Sequence, residues 1–125
     1  MIKILTLAAM TLATPAIASG VRVTDCKLSE PLGGFIQCNV ANETSTAIAK
    51  VSYNSQISEE GRTVDWFSSE KVETRDIDGG IEPGETLSLV FLSGKVGKNA
   101  DQSKLKITLK ITDAFDVNGN PITTP

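Results

Sequence analysis

Hydrophobic residues recur at every second position along much of this chain, and that period constrains the fold more than any other feature. Across residues 104–112, Leu105, Ile107, Leu109 and Ile111 alternate with Lys106, Thr108 and Lys110. Successive side chains of an extended strand point to opposite faces, so such a segment buries one aliphatic face and wets the other. Residues 47–57 repeat the pattern, with Ala49, Val51, Tyr53 and Ile57 on one side. Leu87, Leu89 and Phe91 do so again, but Val90 and Leu92 make that strand apolar on both faces. Such a strand is expected to be central, or to have its outer face covered. Further strands are expected over residues 21–28, 34–41, 63–68 and 70–77. Turn formers separate them: Pro31-Leu32-Gly33-Gly34, Asn42-Glu43-Thr44-Ser45, Glu59-Glu60-Gly61-Arg62, Asp78-Gly79-Gly80 and Pro83-Gly84. Asn118-Gly119 is the favoured pair of a type I′ hairpin. About seven short antiparallel strands with no helical period describe an all-β domain, a sandwich or small barrel.

The N-terminus bounds that domain. Met1-Ile2-Lys3 carries one positive charge, an apolar run follows to Leu12, and Pro15 breaks it before Ala16-Ile17-Ala18. Small residues at the −3 and −1 positions complete the layout of a signal peptide, so residues 1–18 are expected to be removed after Ala18. The apolar run falls short of the roughly 20 residues that span a bilayer. The expected product is a single domain, 19–125, that is periplasmic or secreted and not inserted in the membrane. The residue immediately after the cleavage point is Ser19 and not the cysteine that a bacterial lipid anchor would need. Cys26 and Cys38 are the only cysteines, and two thiols in an oxidising compartment are expected to pair. The bridge would join the first two strands.

The stretch from Cys38 to Phe91 resembles the small immunoglobulin-like modules of bacterial envelope proteins, the FxLYD-type domains among them. Asn39-Val40-Ala41-Asn42 and then Ala47-Ile48-Ala49-Lys50-Val51 are similar to their strand, Asn-bearing turn and second strand. Glu60-Gly61-Arg62 matches the next hairpin, and Ile81-Glu82-Pro83-Gly84-Glu85-Thr86 the Pro-Gly turn before a core strand. Where those modules carry Phe-x-Leu-Tyr-Asp, this chain reads Asn54-Ser55-Gln56-Ile57-Ser58. The resemblance implies an immunoglobulin-like β-sandwich with an accessory or binding role and no catalytic residues.

The residue inventory narrows the chemistry further. The chain has no histidine, so it lacks the commonest general base and the usual partner of a serine or cysteine nucleophile. Loss of Lys3 with the leader takes the net charge from −3 to −4, a poor match to the phosphates of nucleic acid. Charge is distributed unevenly: residues 58–85 carry nine acids against Arg62, Lys71 and Arg75, and residues 95–110 five lysines against Asp101. Opposed charge orients protein partners. The candidate contacts are Glu59, Glu60, Arg62 and Asp65 around one hairpin, and Lys104, Lys106 and Lys110 on the wet face of a strand.

Trp66, sharing a face with Val64, and Tyr53, sharing one with Val51, are expected in the core, leaving Phe67 as the exposed aromatic. Asn42-Glu43-Thr44 reads as a turn or as a glycosylation sequon. No cofactor is expected. The expected role is to bind another envelope protein. The alternatives are a structural envelope component, or a calcium- or carbohydrate-binding module using Asp113, Asp116, Asn118 and Asn120, which space oxygens as calcium loops do.

Overall fold

A computed structural model describes residues 17–18 and 20–122. Each alternating segment forms a strand: β1 (Ile17–Ala18), β2 (Val21–Leu28), β3 (Gly33–Asn42), β4 (Ile48–Glu59), β5 (Phe67–Ser68), β6 (Glu73–Ile81), β7 (Thr86–Lys95) and β8 (Leu105–Phe115). Every pairing is antiparallel. One sheet has the order β1-β2-β3-β7. In the other, β4 lies in the middle, with β8 along one edge and β6 and then β5 along the opposite edge. The two sheets bury their aliphatic faces against each other, so the chain is the expected β-sandwich of seven strands beyond the two-residue β1. The expected leader lies outside the described residues apart from β1, which pairs with Val21 and Arg22.

Ile36, Val40, Ile48, Val51, Ile57, Ile81, Phe91 and Ile111 are essentially without solvent contact. Tyr53 joins them, packed edge-on to Phe91 with ring centroids 4.9 Å apart. Its hydroxyl donates to the Leu92 carbonyl at 3.0 Å, which satisfies the polar tip of a buried ring. Burial, and secondarily the charge of Glu73, holds the Tyr53 phenol above its ordinary range.

One register shift interrupts each of four ladders, and each moves later side chains to the other face. In β2, Val21 and Val23 face the core, so strict alternation would turn Cys26 outward. An extra residue between Thr24 and Lys27 reverses that parity. Asp25 takes the left-handed conformation there (φ 55°), and its carboxylate accepts a hydrogen bond from Asn39 Nδ2 at 3.2 Å. Cys26 is thereby aimed at buried Cys38, and the two form the expected disulfide between adjacent strands.

The structure corrects several expectations. Asp78-Gly79-Gly80 does not end a strand; it bulges within β6, which runs on to Ile81. Gly80 has φ +68°, and a Cβ there would lie 2.9 Å from the Ile48 carbonyl oxygen, so both conformation and space demand glycine. Only Phe67–Ser68 of the strand expected over 63–68 pairs with β4, because the chain from Arg62 to Asp65 turns across the end of the sheet. Val64 is 70% exposed, and Trp66 and Phe67 are both half-buried against the core. Gly97 and Gly94 make room for them: a Cβ would come within 2.8 Å of the Trp66 ring or 2.1 Å of the Phe67 ring. β7 is an edge strand, and Val90 and Leu92 face solvent beside Phe35.

Asn42 serves the turn and not a glycan. Its side chain is fully buried, with Nδ2 donating to the Thr46 and Ile81 carbonyls at 2.8 Å each. Its Oδ1 accepts from the Thr44 backbone N–H at 2.9 Å and from Oγ1 at 2.7 Å. Asn42→Ala would strand the buried Ile81 carbonyl, remove the side chain's bonds to Thr44 and Thr46 as well, and should cost about 3 kcal/mol. Thermal denaturation should show this as a fall in Tm on the order of 15 °C; a loss under about 1 kcal/mol would mean that water replaces the amide. The disulfide closes a loop of sequence separation 12. The Cys26→Ala/Cys38→Ala double variant should lose about 3 kcal/mol in urea unfolding while keeping its far-ultraviolet spectrum. Equal stability would show the bridge to be dispensable for the fold.

Candidate functional site

The candidate residues of the 59–65 hairpin divide into engaged and free groups. Glu59 Oε1 accepts from the Trp66 indole N–H at 2.9 Å and from the Asp101 backbone N–H at 3.2 Å. The Arg62 guanidinium lies over the Trp66 ring, 3.9 Å from a ring centroid. Asp65 Oδ2 accepts from Gln56 Nε2 at 2.6 Å. Glu59, Arg62 and Trp66 therefore form a latch between this hairpin and the loop before β8. Trp66, covered by Arg62 and seated on Gly97, is not displayed for stacking on a sugar. Glu60 remains exposed, with its backbone N–H donating to the Lys104 carbonyl at 3.0 Å.

That last bond brings the acidic hairpin and the lysine-bearing strand to the same end of the sandwich. The 3₁₀ turn Gln102–Lys104 leads into β8. Asp101 caps it, accepting from Ser103 Oγ at 2.7 Å and from the Ser103 backbone N–H at 3.1 Å. These hydrogen bonds, the hydroxyl's first, hold the Asp101 carboxyl below its ordinary range. Lys104, Lys106 and Lys110 are exposed and make no ion pair among the described residues.

The arginines behave differently. Arg22 makes two bonds to the Glu43 carboxylate, at 2.9 and 3.3 Å, and that hydrogen bonding, with the opposite charge, raises its pKa further. Arg75 donates to the Val90 carbonyl at 2.6 Å and the Asp76 carbonyl at 2.7 Å. It thereby covers part of the β7 edge.

The C-terminal Asp/Asn turn is spent on the backbone. Asp116 Oδ1 accepts from the N–H groups of Asn118 and Asn120 at 2.9 Å each, an arrangement that closes a hairpin turn. Asp113 lies on β8, and among the described residues no three acidic or cysteine side chains gather closely enough to hold a metal ion. After the turn, Pro121 bridges to Phe115, and the Ile122 N–H donates to the Ala114 carbonyl at 2.8 Å. Phe115 pairs with β4 through its other side, so Pro121 and Ile122 sit on the outer edge of β8.

Below that point the edge faces a groove of about 390 Å³, lined by Val23, Thr24, Asp25 and Cys26 of β2 and Ile107, Thr108 and Leu109 of β8. Sequence reasoning assigned Ile107 and Leu109 to the core and the lysines to the wet face, and did not find the groove between the strands. It lies beside the bulge of β2, whose residues Thr24, Asp25 and Cys26 form part of its wall. The sole local signal was Asp25 beside Cys26, whose parity disagrees with Val21 and Val23. Neither a family model nor a curated protein nor a solved structure matches this chain.

If Asp116 is committed to the turn, calcium should leave the Tm of the protein unchanged, whereas Asp116→Ala should lower it with or without calcium. A calcium-dependent rise that Asp116→Ala abolishes would restore the metal-binding alternative.

Proposed function

We propose that this chain is a non-catalytic, exported β-sandwich that binds another protein of the cell envelope. One observation carries this reading: the three arginines are engaged within the fold, and three lysines at the start of and along β8 are not. Arg22, Arg62 and Arg75 are held by a carboxylate, an indole and backbone carbonyls. Lys104, at the end of the 3₁₀ turn beside exposed Glu60, and Lys106 and Lys110 on β8 are instead exposed and make no ion pair among the described residues. Free charge on an ordered strand steers and orients a macromolecular partner at little entropic expense to the fold. The absence of histidine from the sequence supports a binding role over catalysis, as does the accessory role implied by the resemblance to envelope immunoglobulin-like modules. The disulfide suits an oxidising compartment.

The test is cross-linking in the intact envelope of the source organism, using the full chain expressed with its own leader and a C-terminal tag. One dominant protein should be captured by the wild type and lost when Lys104, Lys106 and Lys110 are all changed to Glu. If neither form captures a specific protein, the chain does not work through a stable envelope partner.

A further inference from the structure

We infer that the outer edge of β8 accepts an extended acidic strand from the partner protein, an inference that rests on the partner-binding role proposed above and specifies its chemistry. In an antiparallel ladder, successive residues turn their N–H and C=O groups alternately toward and away from the neighbouring strand. The Glu60 N–H donates to the Lys104 carbonyl, which fixes that phase for the lower part of β8. Lys106, Thr108 and Lys110 direct their backbone groups to β4, and Leu105, Ile107 and Leu109 direct theirs to the outer edge. There β8 pairs with nothing between Leu105 and Ile111 among the described residues.

In an immunoglobulin-type sandwich the last strand lies beside the one before it. Here, among the described residues, that place holds Pro121 and Ile122, at the Ala114–Phe115 end. The corresponding edge on the other side of the sandwich is closed: Arg75 covers the Val90 carbonyl and the Tyr53 hydroxyl covers that of Leu92. Among the described residues β8 is thus an edge open to strand addition, which supplies affinity through main-chain hydrogen bonds and specificity through alternate side chains.

Charge selects the occupant. Lys106 and Lys110 flank Thr108 on the exposed face, with Lys27 exposed across the groove on β2. A second copy adding its own β8 antiparallel about Thr108 would set Lys106 directly against Lys110, which is repulsive. A strand with carboxylates opposite both lysines converts that repulsion into two cross-strand ion pairs. Its residues opposite Ile107 and Leu109 enter the groove beside Val23 and are apolar. The motif that fits is carboxylate, apolar, polar, apolar, carboxylate, running antiparallel to β8.

Amide hydrogen exchange, followed by NMR, tests this on the full chain with a synthetic peptide centred on Glu-Val-Thr-Val-Glu. In the free protein the amides of Ile107 and Leu109 should exchange fast and those of Lys106, Thr108 and Lys110 slowly. The peptide should slow Ile107 and Leu109 by about tenfold or more. A Lys-Val-Thr-Val-Lys peptide should not, and Lys106→Glu/Lys110→Glu should abolish the effect while leaving exchange elsewhere unchanged. Protection of both amides without peptide overturns the proposal: at every concentration it assigns the edge to the chain's own residues, and only in concentrated solution to a second copy. If the acidic peptide gives no protection while envelope capture succeeds and depends on the lysines, strand donation fails and partner binding stands. If capture fails as well, both fail.

Discussion

Stacked sheets require the chain to cross from one to the other without leaving backbone polar groups buried and unpaired, and at one end of this sandwich Asn42 meets that requirement. Its backbone N–H donates to Glu85 and its carbonyl accepts from Gly84, which fixes the turn between β6 and β7. Its side chain holds Thr44 and Thr46 of the turn between β3 and β4, and the Ile81 carbonyl at the end of β6. Both crossings at that end therefore share one residue. Next to it, Ile48 pairs with Ile81 and both are fully buried, so the polar knot and the start of the aliphatic core specify the same geometry. A threonine or serine lacks the reach and the number of hydrogen-bonding groups to replace it.

From that anchored end, β4 sets the rest of the second sheet. It pairs with β6, β5 and β8, and its inward residues Val51, Tyr53 and Ile57 meet Phe91 and its neighbours from the other sheet. Among the described residues the far end has no comparable buried knot. It is held by the latch of Glu59, Arg62 and Trp66, in which Arg62 is exposed, Glu59 and Trp66 are half-buried, and the indole is seated on Gly97. Acidic residues that looked available for a partner are thus part of the fastening of the fold, and the free charge lies on β8.

The edges of the two sheets differ for the same reason. β7 carries exposed Val90 and Leu92, yet side chains from the opposite sheet reach across and occupy two of its outward carbonyls. Where β2 bulges at Asp25 a groove separates it from β8, and among the described residues no strand pairs with β8 along it. An edge bearing lysines resists pairing with its own kind while remaining able to receive a strand of opposite charge.

The sequence by itself determined the strands, because alternation is a local property of covalent geometry: residues 21–28 and 105–111 are legible from side-chain order alone. It also determined the disulfide, since Cys26 and Cys38 had no other partner and lay on neighbouring strands. Of the candidate site, the lysines of β8 were legible as a wet face, but not the employment of Glu59, Arg62 and Asp65 within the fold. Only the tertiary structure decided where the alternation reverses, at Asp25, at Asp78-Gly79-Gly80, at Ser93-Gly94 and at Thr112. A bulge is placed by the register of the strand across from it and by the core its neighbours must reach, and those partners are distant in sequence. The same non-local pairing decided which edge stayed open, and with it the groove beside β8.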